Sequence, residues 1–151
     1  MNRIGLGKLT YLGIALKQLI TARKVSCDLT LENSADGTQK SIHLSRFLFV
    51  TCMSHRYEGG GFMFCPPAVD HDGILDLCVV GNISKALVLL ALPTAFFGKH
   101  YFVKGIDAYT ATQMSVTASA PLWVHTDGEV TRESCGFRVE CLPGAVRMIT
   151  P

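Results

Sequence analysis

Residues 8–22 place Leu9, Leu12, Ile14, Ala15, Leu19 and Ile20 at helical spacing, which predicts an amphipathic helix. The period then changes. Residues 25–31 alternate apolar and polar, as a half-buried strand does. A polar stretch over 33–39 carries Asp36-Gly37, a hairpin signal, and a second strand over 41–52 runs back. Gly59-Gly60-Gly61 is permissive backbone rather than regular structure. Short strands are expected at 62–65 and 75–80, with Asp72-Gly73 in the turn between them. Ser84 is a good N-cap for a second helix over 85–97, which Gly98 ends. Strand-like segments follow at 107–118, 122–125, 136–142 and 146–149, punctuated by Pro121 and Pro143-Gly144. Roughly eight or nine closely spaced strands and two helices predict a mainly β fold, an antiparallel β-sandwich.

Composition narrows this picture. The 151 residues suffice for one domain with a real core and are too few for two typical ones. An apolar share of 48 % with 17 % charged residues is globular, not disordered. Fourteen basic against twelve acidic residues leave +2, too near neutral to argue for a nucleic-acid partner. No apolar run reaches the roughly 18 residues of a membrane span. The early apolar stretch is broken by Lys17 and lacks a small-residue cleavage site, so no signal peptide is read and a cytoplasmic protein is expected. The six cysteines form no CxxC pair and mostly lie within apolar runs, as reduced core cysteines do.

Candidate chemistry is concentrated in a few short stretches. Asp127-Gly128-Glu129 follows the apolar Leu122-Trp123-Val124. Asp-Gly is a common tight-turn signal, after which a Glu is usually just solvated. The alternative is that a rigid turn aims Glu129 into a cleft, where it accepts a proton from a hydroxyl attacking a phosphoryl group. The run from Val69 to Asp76 packs three carboxylates into eight residues. It reads either as an acidic turn or as a loop offering oxygens to a hard cation, although it lacks EF-hand spacing. The triple glycine is not followed by Lys-Ser/Thr and is no Walker A loop. The five histidines show no HxH or HxxxH spacing, and His125 is close enough to Glu129 in sequence to influence it.

The order of these motifs is more informative than any one of them. Gly59-Gly60-Gly61-Phe62, Pro66-Pro67-Ala68, Asp72-Gly73-Ile74-Leu75-Asp76, a helix ending in Gly98-Lys99-His100, Asp127-Gly128-Glu129 and Leu142-Pro143-Gly144-Ala145-Val146 occur in succession. This succession resembles the C-terminal domain of the bacterial diacylglycerol-kinase-like lipid kinases, with ceramide and sphingosine kinases as more distant relatives. The resemblance runs from about Lys8 onward.

It implies the second domain of a two-domain lipid kinase. In that family an α/β domain with a Gly-Gly-Asp-Gly-Thr signature binds ATP, and a β-sandwich packs against it. The family's proton acceptor falls on Glu129, and its structural magnesium ligands fall on Asp72 and the carbonyls of Val69 and Ile74. A second magnesium is expected to arrive with the co-substrate ATP. Expected partners are a lipid substrate such as diacylglycerol, the missing N-terminal nucleotide-binding domain, a transient membrane surface and, as an option, a second copy of the chain. The signature Gly-Gly-Asp-Gly-Thr does not occur in the sequence, so the chain is expected to be an N-terminally truncated part, inactive alone. Cys52 stands where many family members have Asn, which puts that residue's contact in doubt. Alternative readings are a non-catalytic lipid-binding sandwich module and an NAD-kinase-like phosphotransferase.

Overall fold

The computed structural model describes residues 21–58, 61–127 and 129–146. The first expected helix lies outside these residues except for 21 and 22, as do residues 147–149 of the last expected strand. Six antiparallel strands run in the order β1 (Val25–Asn33), β2 (Thr38–Met53), β3 (Leu75–Gly81), β4 (Ile106–Ala111), β5 (Gln113–Thr126) and β6 (Glu129–Glu140). They hydrogen-bond as one sheet in the order β4-β3-β2-β1-β5-β6. The mainly β, antiparallel expectation is thus borne out, with fewer and longer strands among the described residues.

One sheet becomes two layers because β2 changes partner. Thr38 to Phe47 pair with β1, Phe47 to Met53 pair with β3, and the register slips between Phe47 and Phe49. The slip puts two neighbours on one face: Leu48 and Phe49 both join the outer cluster, between Phe47 and Val50 on the inner one. A strand that switches sheets at such an irregularity makes a sandwich corner. The inner core takes Leu29 and Leu31 from β1, Leu77 and Val79 from β3, and Met114 and Val116 from β5. Layer contact is also visible at the surface, where Lys40 Nζ of β2 lies 4.5 Å from the ring centre of Tyr109 in β4.

The outer face of β3 is covered in turn. Cys78 and Val80 pack with Val88 and Ala91 of α1 (Lys85–Ala91). Every residue of β3 is buried, which explains its nearly continuous apolar reading. Ser84 caps α1 as expected, its hydroxyl accepting the Leu87 N–H at 3.2 Å. The expected helix over 85–97 is shorter, however. Pro93 lacks an N–H and crowds the preceding turn, so the chain tightens into a 3-10 segment, Leu92–Phe97, closed by Gly98 at φ 65°.

Three other expectations are corrected. Residues 62–65 form no strand; a lone bridge joins Glu58 to Phe62, and aromatic stacking of Phe62 on Phe64 and Phe96 holds the segment. The segment 107–118 divides at Thr112 into β4 and β5. The segment 122–125 lies within the longer β5, and 136–140 within β6, which ends before the expected 141 and 142.

Leu77 is 1 % exposed and sits between the layers. We expect Leu77→Ala to cost about 2–5 kcal/mol in urea denaturation, whereas truncating an exposed strand residue such as Thr117 changes it little.

Candidate active site

β5 and β6 form a hairpin closed by the loop at Asp127 and Gly128, with Thr126 directly opposite Glu129. Asp127 has φ 51°, a left-handed conformation that Asp tolerates and two-residue hairpin loops need. Glu129 is therefore the first residue of a strand, fixed by its pairing, and its side chain is exposed. Further along, Val130 faces His125, Arg132 faces Val124, and Thr131 Oγ1 donates to the Val124 carbonyl at 2.9 Å. Trp123 and Val130 are 63 % and 55 % exposed. What this arrangement offers chemically is a solvated carboxylate on a stiff projecting tip, flanked by uncovered apolar side chains.

The Asp72 loop is built differently. Asp72 Oδ1 accepts the Ile74 N–H at 2.9 Å, which orients its carboxylate across the turn. Gly73 has φ 76°, and a Cβ there would lie 3.0 Å from Pro143 Cγ, so Asp72-Gly73 is seated against Pro143-Gly144. Asp70 is occupied by the His71 ring at 2.8 Å, and this bond holds its carboxyl below the usual range. Val69 and Ile74 flank the turn, half-buried. Asp76, two residues on, is 6 % exposed in β3; burial pushes its carboxyl up, and the Asp72 charge pushes it the same way.

Among the described residues no three His, Cys, Asp or Glu side chains gather as a metal cage. The donor chemistry of the loop is one free-standing carboxylate with main-chain carbonyls, next to a second carboxylate that feels its charge. An all-oxygen set of this kind fits a hard cation and not zinc.

A third cluster joins motifs that the sequence separates. The Phe64 carbonyl accepts from Tyr101 Oη at 2.6 Å and from His100 Nε2 at 3.1 Å. Gly98 sits so close to the Pro66 ring that a Cβ would lie 2.6 Å from its Cγ. The Gly61-to-Pro67 segment and Gly98-Lys99-His100 are therefore one packed unit. Sequence reasoning missed His100 as a buried group: it is 2 % exposed, its Nδ1 has no partner, and burial lowers its proton affinity. Burial likewise pushes the thiols of Cys65 up to about 11 and of Cys78 up to about 12. Cys52 is pushed up to about 12, so these cysteines are inert core groups as expected.

Glu129 and Asp72 do not meet. The Asp72 loop leads into Leu75, which pairs with Ala111, two residues before β5 begins. Glu129 follows the other end of β5, fourteen residues on. At about 3.3 Å per residue this is roughly 45 Å along the strand. The structure thus brings Asp72 and Pro143 together, and Pro66 and Gly98, but keeps the carboxylate of the hairpin apart from both.

Residues 1–150 match the family described as the YegS C-terminal NAD kinase beta sandwich-like domain, and the chain belongs to that family. A diacylglycerol kinase of Mycobacterium tuberculosis is 26 % identical over 147 residues, which is 96 % of this chain and 44 % of that protein. A protein of Xanthomonas euvesicatoria named "Probable lipid kinase YegS-like" is 29 % identical over 97 residues, 64 % of this chain and 31 % of the relative. A crystal structure of a diacylglycerol kinase from Bacillus anthracis superposes with a TM-score of 0.59 at 24 % identity, covering 91 % of this chain and 45 % of that one. At that identity the likeness is one of fold. The chain spans less than half the length of these relatives.

The buried His100 makes a pH prediction. Its affinity is lowered from the ordinary value of 6.5, so the unfolded chain takes up the proton first as pH falls. Its contribution to stability is full above 6.5 and is lost as pH falls from there to the folded-state value. In melting curves from pH 8 to pH 5, we expect Tm to fall below about pH 6.5. His100→Gln, which keeps a donor for the Phe64 carbonyl, should flatten that fall.

Proposed function

We propose that the chain is the second domain of an ATP-dependent lipid kinase, with Glu129 as the proton acceptor. The observation that carries this reading is the Glu129 carboxylate on a fixed, solvent-facing hairpin tip, in a family whose relatives include lipid kinases. The hydroxyl oxygen of a lipid such as diacylglycerol bonds to the γ-phosphorus, and its proton passes to Glu129. The bond to the bridging oxygen breaks, and ADP leaves. The chain holds no Gly-Gly-Asp-Gly-Thr or Walker signature, so the nucleotide contacts are assigned to a separate domain of the whole protein. Magnesium bound with ATP supplies positive charge against the phosphates.

We assign a second, structural magnesium to the Asp72 carboxylate with the carbonyls of Val69 and Ile74. What supports it is the oxygen-only donor set and the turn that orients Asp72. Because that loop is at the far end of β5 from Glu129, the assigned role is to stiffen the Asp72–Pro143 contact.

In the whole protein we expect Glu129→Gln to lower turnover of diacylglycerol by about 10²–10⁴-fold, with Tm within about 2 °C of the parent because the side chain is exposed. Near-parental turnover sinks the assignment. Assaying NAD beside diacylglycerol as acceptor distinguishes a lipid kinase from an NAD kinase. Magnesium should raise Tm by about 2–8 °C, as about 1–2 kcal/mol of binding requires, and Asp72→Asn should abolish the rise.

A further inference from the structure

The helix that closes the outer layer presents an apolar face that nothing in the described chain covers. Val88 and Ala91 of α1 point into the core. Leu87 and Leu90, one turn apart, are 41 % and 74 % exposed. Phe96 turns back to stack on Phe62 at 4.2 Å between ring centres, but its neighbour Phe97 is 75 % exposed. Phe102, in the next 3-10 turn, is 87 % exposed. A single exposed Leu is ordinary, whereas four large apolar side chains exposed along one connected segment, Leu87 to Phe102, are more than scattered singles.

The charge around the patch selects its occupant. Residues 77–106 contain no Asp or Glu and carry Lys85, Lys99 and Lys104. Lys99 and Lys104 are exposed. The nearest carboxylates by connectivity are Asp107, at the start of β4, and Glu58, whose backbone bridges Phe62. The core of a protein interface is depleted in lysine. Leu and Phe bordered by lysines, without acids among them, are the composition of a surface that lies in the headgroup boundary of an anionic bilayer.

Location agrees with this choice. α1 starts just after Ile83, whose carbonyl accepts from Lys24 Nζ at 2.7 Å. Two residues from Lys24, the Ser26 N–H donates to Ser119 Oγ at 3.1 Å, and from Ser119 β5 runs out to the Glu129 hairpin. The start of α1 therefore lies towards the hairpin end of the sandwich, while Phe97 and Phe102 follow on towards the Phe64–Pro66 segment.

We propose that the α1 face, from Leu87 to Lys104, docks on an anionic lipid bilayer. Leu90, Phe97 and Phe102 enter the headgroup boundary, and Lys99 and Lys104 meet lipid phosphates. The proposal rests on the lipid-kinase reading for the nature of the substrate, but vesicle binding is measured without turnover, so the two stand or fall separately. The test is flotation of the protein with phosphatidylcholine vesicles, with and without phosphatidylglycerol. The expected result is salt-sensitive binding to the phosphatidylglycerol vesicles only. The triple variant Leu90→Ser, Phe97→Ser, Phe102→Ser should lose at least about tenfold in partition, and Lys99→Gln with Lys104→Gln about fivefold per lysine, with Tm within about 2 °C in each. No binding to anionic vesicles, or binding unchanged in both variants, overturns the proposal. So does a Tm loss above about 4 °C with vesicle binding retained, which would mean the face packs against another part of the whole protein.

Discussion

The exchange of partners within β2 sets the rest of the structure. At sixteen residues it is too long to be served by one neighbour. The slip between Phe47 and Phe49 lets its first half pair with β1 and its second with β3, and it turns both Leu48 and Phe49 outward. From that slip the sheet folds over, and β4 returns above β1 and β2. The return is pinned at Thr112, the single residue between β4 and β5. Its N–H donates to the Glu32 carbonyl, its own carbonyl accepts from Cys141 N–H, and its hydroxyl accepts from Ser34 N–H. One residue can turn this corner because all of its polar groups find partners there.

A sandwich with its corner at Thr112 has two unlike ends. At one end the Asp72-Gly73 turn, Pro143 and the buried Asp76 are packed together. Two carboxylates that feel one another at the mouth of a buried strand are a local repulsion, and a hard cation is the natural relief. At the other end β5 and β6 run beyond the core as a two-stranded ribbon. A ribbon of two strands has little burial of its own, and its tip owes its rigidity to the Asp127 turn and the cross-strand pairs behind Glu129. The same motif order thus draws on two separate places, one at each end of the sandwich.

Local signals were legible in the sequence, and tertiary ones were not. Ser84, Gly98 and Asp36-Gly37 do what their residue types predict, because capping and tight turns are settled within a few residues. Pro121 was read as a break between strands, yet β5 passes through it. It lies between Thr117 and Leu122, where the register with β6 slips, so no ladder bond needs its missing N–H. The apolar run 62–65 looked like a strand, but its aromatics are used for stacking on Phe96, a partner thirty-odd residues away that periodicity cannot reveal. His100 showed no ligand spacing, and only the fold reveals that it is buried against the Phe64 carbonyl. For the candidate sites, the residue types at 72 and 129 were legible from motif order, while their separation depended on the path of β5.

The position of α1 gives this separation a meaning. In the proposed reading, a domain that serves a lipid hydroxyl holds its carboxylate near the level where headgroups end. Among the described residues no helix is long and apolar enough to cross a membrane; in the same proposed reading, surface contact sets that level. The start of α1 and the exposed Trp123 and Val130 of the ribbon lie at the Glu129 end. Lys24, bonded to the Ile83 carbonyl at the root of α1, fixes the helix start to the strand that leads through Ser26 and Ser119 into the ribbon. A bilayer contacting α1 would therefore define the height of Glu129 through rigid, hydrogen-bonded structure. The Asp72 loop, a strand length away, is left to act on the packing of the opposite end.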